Sequence, residues 1–232
     1  MRILFIFTCI SIFSISLYSQ SKDVIARVYL NNSAKSYSAA GSSKFTGTLI
    51  EALESETGSD KSLHIAELFQ FFQNNELKAD TVTYGKNDPG SEFIFANRDD
   101  RSTNYALIIY VEEYDTWEKI EGIENDAKKI ESLLADNFGF NTELVSNPTR
   151  VELLMTIRKF TTMKYKPNDH LFIYFAGHGY YDELYKWNYL VLKDSQKDEE
   201  VKQSYMPVSQ LLMLADNISA DKVLVFIDAG AK

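Results

Sequence analysis

Between residues 105 and 227 the chain alternates runs that are apolar throughout with stretches that are apolar on one face only. This alternation limits the fold more than any other feature. Tyr105-Ala-Leu-Ile-Ile-Tyr-Val111, Leu171-Phe-Ile-Tyr-Phe175 and Val223-Leu-Val-Phe-Ile227 contain no polar group beyond tyrosine hydroxyls. A strand without a polar side is covered on both faces, as in a mainly parallel sheet. Parallel neighbours need long crossovers, and the intervening stretches supply them. Gly122 to Leu134 sets Ile123, Ala127, Ile130 and Leu134 at helical spacing, with a stop near Gly139. Asn147-Pro148-Thr149 opens a second helix, Arg150 to Phe160, and Val208 to Asp216 forms a third. Thr142 to Val145 is expected as a strand and Tyr189 to Leu192 as a small one. Strands alternating with helices predict a doubly wound α/β sheet.

The preceding part is more varied. Val24 to Leu30 is rich in β-branched residues and reads as a strand, and Asn31 to Ser43 reads as a loop. Phe45 to Leu53 and Leu63 to Phe72 are amphipathic helices, the second with Ile65, Leu68, Phe69 and Phe72 on one face. His64 sits beside that stripe and reads as a surface residue. Gly85 to Gly90 is a turn cluster, Glu92 to Ala96 a short strand, and Asn97 to Thr103 a polar connector.

With 232 residues, 45% of them hydrophobic, the chain can bury a substantial core and is not a disordered protein. Its net charge of -9, with no Lys/Arg cluster, excludes a surface built for nucleic acid. Met1-Arg2, an apolar run from Ile3 to Leu17 and Tyr18-Ser19-Gln20 read as a signal peptide over residues 1–20, cleaved near Ser19 or Gln20. A periplasmic or secreted location follows. The single cysteine, Cys9, falls inside that signal. The mature chain is then expected to lack disulfides, cysteine-bound metal and any thiol nucleophile. His64, His170 and His178 show no zinc spacing. Asp194 and Asp198-Glu199-Glu200 offer carboxylates of the kind calcium takes, but without a spaced ligand loop they read as a solvated acidic loop. No cofactor is expected.

The run from Leu171 ends abruptly in Ala176-Gly177-His178-Gly179. Glycines let the backbone turn sharply and approach a ligand, and strand C-terminal ends are where open α/β sheets place their sites. His178 is therefore the first functional candidate, against the plain alternative of a histidine that caps a strand.

Leu-Phe-Ile-Tyr-Phe-Ala-Gly-His-Gly179 resembles the strand and histidine loop of the caspase, metacaspase and paracaspase family of cysteine endopeptidases. The resemblance implies a caspase-like three-layer α/β/α sandwich, its six-stranded sheet mostly parallel with one antiparallel strand. It implies His178 as general base and the Gly179 N–H as an oxyanion donor. Lys222 to Gly230 is similar to the family strand that ends Asp-Ala-Cys, so Gly230 stands where the nucleophile belongs. A thiolate attack is closed to a residue without a side chain. Serine rescue through Ser204 or Ser209 has no motif behind it. Asp228 matches the acidic residue with which metacaspases bind a basic side chain, against an equally weighted reading as a fold-supporting aspartate. Glu112 and Asp115, with Glu113, end the first strand where the family places further pocket residues, while Ala176 departs from the serine often found there in metacaspases.

The two parts of the family domain come in swapped order. Residues 105–230 resemble its large segment, and residues 24–96 resemble the small segment that normally follows: Phe45 to Leu53, the Ile65-Ala-Glu-Leu-Phe helix and Tyr84 to Phe95. The resemblance thus implies one caspase-like domain over residues 21–232, circularly permuted, with residues 97–104 as connector. The ends to be joined are roughly 15 Å apart, about three strand spacings, and the connector can reach about 25 Å. The leading expectation is a pseudopeptidase that binds a peptide or protein ligand, basic in character, as monomer or homodimer. Three alternatives stay open: an active cysteine endopeptidase whose nucleophile is missing only here, a generic secreted α/β ligand-binding domain, and a truncated gene product.

Overall fold

In the computed structural model, which describes residues 25–32, 43–55, 62–77, 79–96 and 102–230, the apolar runs lie side by side. The elements in chain order are β1 (Ala26–Asn32), α1 (Lys44–Ser55), β2 (Ser62–His64), α2 (Ile65–Asn74), β3 (Ala79–Thr83), β4 (Ile94–Ala96), β5 (Asn104–Tyr110), α3 (Ile123–Phe138), β6 (Phe140–Ser146), α4 (Arg150–Thr162), β7 (His170–Ala176), β8 (Gly179–Asp182), β9 (Trp187–Leu190), β10 (Met206–Pro207), α5 (Val208–Asp216) and β11 (Lys222–Asp228). The main sheet has six strands in the order β3-β1-β11-β7-β5-β6. Five run parallel, and β3 pairs antiparallel with β1 at the edge. This is the mostly parallel α/β sheet with one antiparallel strand that the family resemblance implies.

Successive side chains of a strand point to opposite faces, which divides the core in two. Ile108, Phe172, Tyr174, Leu224 and Phe226 pack with α1, α2 and α3 on one face. Leu107, Ile109, Ile173, Phe175, Val225 and Ile227 pack with α4 and α5 on the other. Both faces of β5, β7 and β11 are therefore covered, which is why those strands need to be apolar throughout.

Several elements differ from the sequence reading. The segment Ala79–Thr83 forms β3 although it is polar, because an edge strand with Val82 and Thr83 exposed carries no demand for apolar residues on both sides. The helix expected from Leu63 begins at Ile65, since Leu63 and His64 pair with β4 instead. His64 then caps α2, its N–H donating to Glu67 Oε2 at 2.8 Å, and its ring meets Glu92 at 2.9 Å. The expected strand at Glu92 to Ala96 is β4, which lies off the main sheet. The chain has consequently crossed back before the connector starts. Asn104 Nδ2 donates to the Ala96 carbonyl at 2.6 Å, so the connector joins neighbouring points and the expected 15 Å gap does not exist.

Three contacts weld the part of the chain before β5 to the rest. Phe95 reaches Phe172 with ring centroids 5.3 Å apart, and His170 Nδ1 donates to the Ile94 carbonyl at 3.1 Å. Arg27, only 4% exposed, extends from β1 to the turn before β11 and donates to the carbonyls of Ile218 and Asp221, both at 2.9 Å. The expected signal over residues 1–20, Cys9 within it, and most of the connector at residues 97–101 lie outside the described residues. Among the described residues no helix is long and apolar enough to cross a membrane.

Candidate functional site

His178 follows β7, and hydrogen bonds hold its N–H, its carbonyl and its ring Nε2. Its N–H donates to Tyr114 Oη at 2.8 Å, and its carbonyl accepts the Val191 N–H at 3.0 Å. The ring lies 3% exposed between Tyr114, at 4.9 Å, and Trp117, at 5.4 Å. Nε2 stands 2.8 Å from the Glu118 carbonyl. A carbonyl only accepts, so Nε2 carries a proton. A ring held in one orientation is what a general base requires. Tyr114 is itself held by donating to the Val111 carbonyl at 2.7 Å, and burial pushes its phenol above the ordinary range, so it remains a donor.

The glycines around His178 act differently from expectation. Neither Gly177 nor Gly179 has a positive φ, so no left-handed turn calls for them. Gly177 is required by crowding instead: a Cβ there would lie 2.9 Å from Tyr114 Oη and 3.3 Å from the Phe175 ring. The pairing of β7 with β11 continues past both strand ends. Gly177 N–H donates to the Asp228 carbonyl at 3.2 Å, and Gly179 N–H to the Gly230 carbonyl at 3.1 Å. His178, Gly179 and Gly230 thus come together. The Gly179 N–H, expected as an oxyanion donor, is committed to Gly230 and must release it before it can serve an oxyanion.

The three acidic candidates stand in separate surroundings. Asp228 is 1% exposed, and its Oδ2 accepts hydrogen bonds from Ser43 Oγ and, at 2.6 Å, from Thr46 Oγ1 at the start of α1. Thr46 also pairs with the Tyr174 hydroxyl at 2.8 Å. Burial first, then the Asp228 charge, pushes the Tyr174 phenol far above its ordinary range. Of the two readings of Asp228, the fold-supporting one has this network behind it. Glu112 caps α3, its Oε2 accepting the Glu124 N–H at 3.0 Å, and its Oε1 meets Lys119 at 3.2 Å. Asp115 is exposed, and its N–H donates to the Lys193 carbonyl at 2.9 Å.

Ser204 donates to Glu199 at 2.5 Å, away from any contact with His178, and Ser209 is exposed on α5. In the acidic loop Asp194 Oδ1 accepts the Arg150 N–H at 2.9 Å at the start of α4. Among the described residues no cluster of three or more His, Cys, Asp or Glu side chains is arranged to hold a metal.

Sequence reasoning missed Tyr114, Trp117 and Glu118, which build the histidine's surroundings. Two aromatics in an otherwise polar loop after a buried strand were the available signal for the first two. Glu118 acts through its backbone carbonyl, which side-chain chemistry cannot reveal. Ser43 and Thr46 were missed as partners of Asp228, although a serine before an apolar helical run is a cap signal.

The geometry agrees with the comparisons. A family model described as caspase domain matches residues 103–231, from the start of β5 to just past β11. Metacaspase-1A of Aspergillus oryzae (strain ATCC 42149 / RIB 40) is 28% identical over 109 residues, 42% of this chain and 26% of that protein. The matched part thus spans about a quarter of that relative's length.

Proposed function

The chain belongs to the caspase-domain family, and on that premise we propose that it is an exported, circularly permuted caspase-like domain that binds polypeptide without cutting it. The observation that carries the loss of cleavage is the register of β11 against β7. Asp228 pairs with Ala176, so Gly230 comes beside Gly179 within reach of the His178 loop, and a glycine has no group to attack a carbonyl. Cys9, the one cysteine, belongs to the segment read as a signal peptide. Permutation is supported by the sheet order: β1 and β3, which precede the matched residues, complete the sheet on the free side of β11. The antiparallel edge position of β3 is where the family's last strand is expected.

In this reading the fixed His178 ring is the remnant of a peptidase, and polypeptide binding is what persists. The test is cleavage of fluorogenic peptides with Arg, Lys or Asp before the scissile bond. The native chain is expected to release no fluorophore, and Gly230→Cys to release it slowly and only with His178 intact. Turnover by the native chain would end the proposal.

A further inference from the structure

Among the described residues eight large hydrophobic side chains are exposed, and four of them line one groove: Leu184, Tyr185, Trp187 and Val201, between 53% and 79% exposed. The groove lies between the β8–β9 hairpin and the loop before β10. Scattered exposed hydrophobics need no explanation, but a cluster of this kind marks an interaction site. The hairpin turn makes the point sharper. Turns favour Gly, Asn, Asp and Ser, and here Asp182 anchors the turn, its Oδ1 accepting the N–H groups of Leu184 at 2.8 Å and Tyr185 at 3.0 Å. The Leu184 and Tyr185 side chains add nothing to that turn and nothing to the core.

The groove continues the candidate site. Tyr189 lines it and also lines the small cavity against Gly179 and Ala229. Tyr185, Trp187 and Tyr189 form a row with ring centroids 6.1 and 6.2 Å apart. The volume, about 580 Å³, suits one or two side chains of a bound chain. Its charge is asymmetric. The Lys202 ammonium is drawn inward over the rings of Tyr180 and Tyr205, at 4.5 and 5.0 Å. Asp182 and Glu200 line the same groove, so an incoming ligand meets aromatic faces beside two carboxylates.

We infer that this groove is a docking site for an extended polypeptide carrying an aromatic or aliphatic side chain next to arginine or lysine. An apolar side chain covers the Leu184, Trp187 and Val201 surface, and a guanidinium both stacks on the Tyr185–Trp187 row and pairs with Glu200 or Asp182. The choice of polypeptide rests on the proposed function. The site itself lies outside the His178 loop and is measured independently of cleavage.

The probe is a fluorescein-labelled Gly/Ser decapeptide with Phe-Arg-Leu-Arg at its centre, titrated by anisotropy against the full chain. Saturable binding is expected. Trp187→Ala should weaken it by roughly tenfold or more, as loss of an aromatic anchor does. Leu184→Ala, at the exposed turn, should weaken it in the same direction without touching the hairpin ladder, and Glu200→Lys should weaken it as well. Met155→Ala, on the exposed side of α4, should bind as the native chain does. The inference is overturned if the peptide with Phe-Glu-Leu-Glu binds equally, or if Trp187→Ala and Leu184→Ala both bind unchanged. Absence of binding up to about 1 mM also overturns it, as does chitohexaose binding in the peptide's place, or a dimer that Trp187→Ala dissociates. Docking at the groove together with an inert Gly230→Cys variant would leave this site standing and remove Gly230 from the nucleophile's position.

Discussion

Replacing Asp228 by alanine separates the two roles open to that carboxylate. In the structure it is 1% exposed and accepts from both Ser43 and Thr46, which ties the end of β11 to the first turn of α1. Hydrogen bonds to a charged group contribute about 1.5–3 kcal/mol each. Ser43 keeps a role as acceptor of the Thr46 N–H at 3.0 Å, and Thr46 keeps Tyr174. Removal also relieves the desolvation of a buried charge. The net loss should therefore be nearer one strong bond than two, about 3 kcal/mol. For a chain of this size that lowers Tm by about 6–12 °C. Asp228→Asn keeps an acceptor and should lose about half as much, and Thr46→Val in the Asp228→Ala background should be non-additive by about 1–2 kcal/mol. Differential scanning calorimetry reads all three. An aspartate held ready for a basic ligand would instead be a buried charge awaiting its partner, and its removal would leave Tm unchanged or raised. A Tm for Asp228→Ala within about 2 °C of native, or above it, refutes the fold-supporting role.

Gly47 lies inside α1 with no atom within 4 Å of the place a Cβ would occupy. Gly47→Ala should therefore stabilise by about 0.5–1 kcal/mol in urea unfolding. Gly177→Ala drives a methyl against Tyr114 Oη and should lose about 1–3 kcal/mol. Tyr114→Phe added to it should cost less than the sum of the two changes, which a double-mutant cycle measures. The Thr149 N–H and hydroxyl hold the Glu152 carboxyl below its ordinary 4.5. A lowered folded-state value gives stability that is present above the unfolded value and fades as pH falls through the folded one. The Tm difference between native chain and Glu152→Gln should accordingly be full at neutral pH and close in acid below about pH 4.

The strands readable in the sequence were those whose neighbours demand apolar residues on both sides. β5, β7 and β11 lie at the middle of the sheet, and their covering helices betray themselves by spacing. β3 was invisible because an edge strand makes no such demand, and β2 because Leu63 continues the apolar pattern of α2 without a break. The His178 loop was legible as a site from a histidine between glycines, yet the reason for Gly177 was not. It depends on Tyr114, 63 residues earlier by sequence number, whose approach no local pattern encodes. The partners of Asp228 lie 182 and 185 residues away. Chain-distant contacts of this kind come from sheet order, which only the fold supplies.

Intact-mass measurement after exposure to a thiol-selective peptidyl acyloxymethyl ketone bearing arginine tests the central claim most directly. The native chain should gain no mass, and Gly230→Cys should gain one adduct at a rate that falls sharply when His178→Ala is added. An adduct on the native chain would mean that another nucleophile serves the site, and an unreactive Gly230→Cys would mean that Gly230 does not occupy the nucleophile's position.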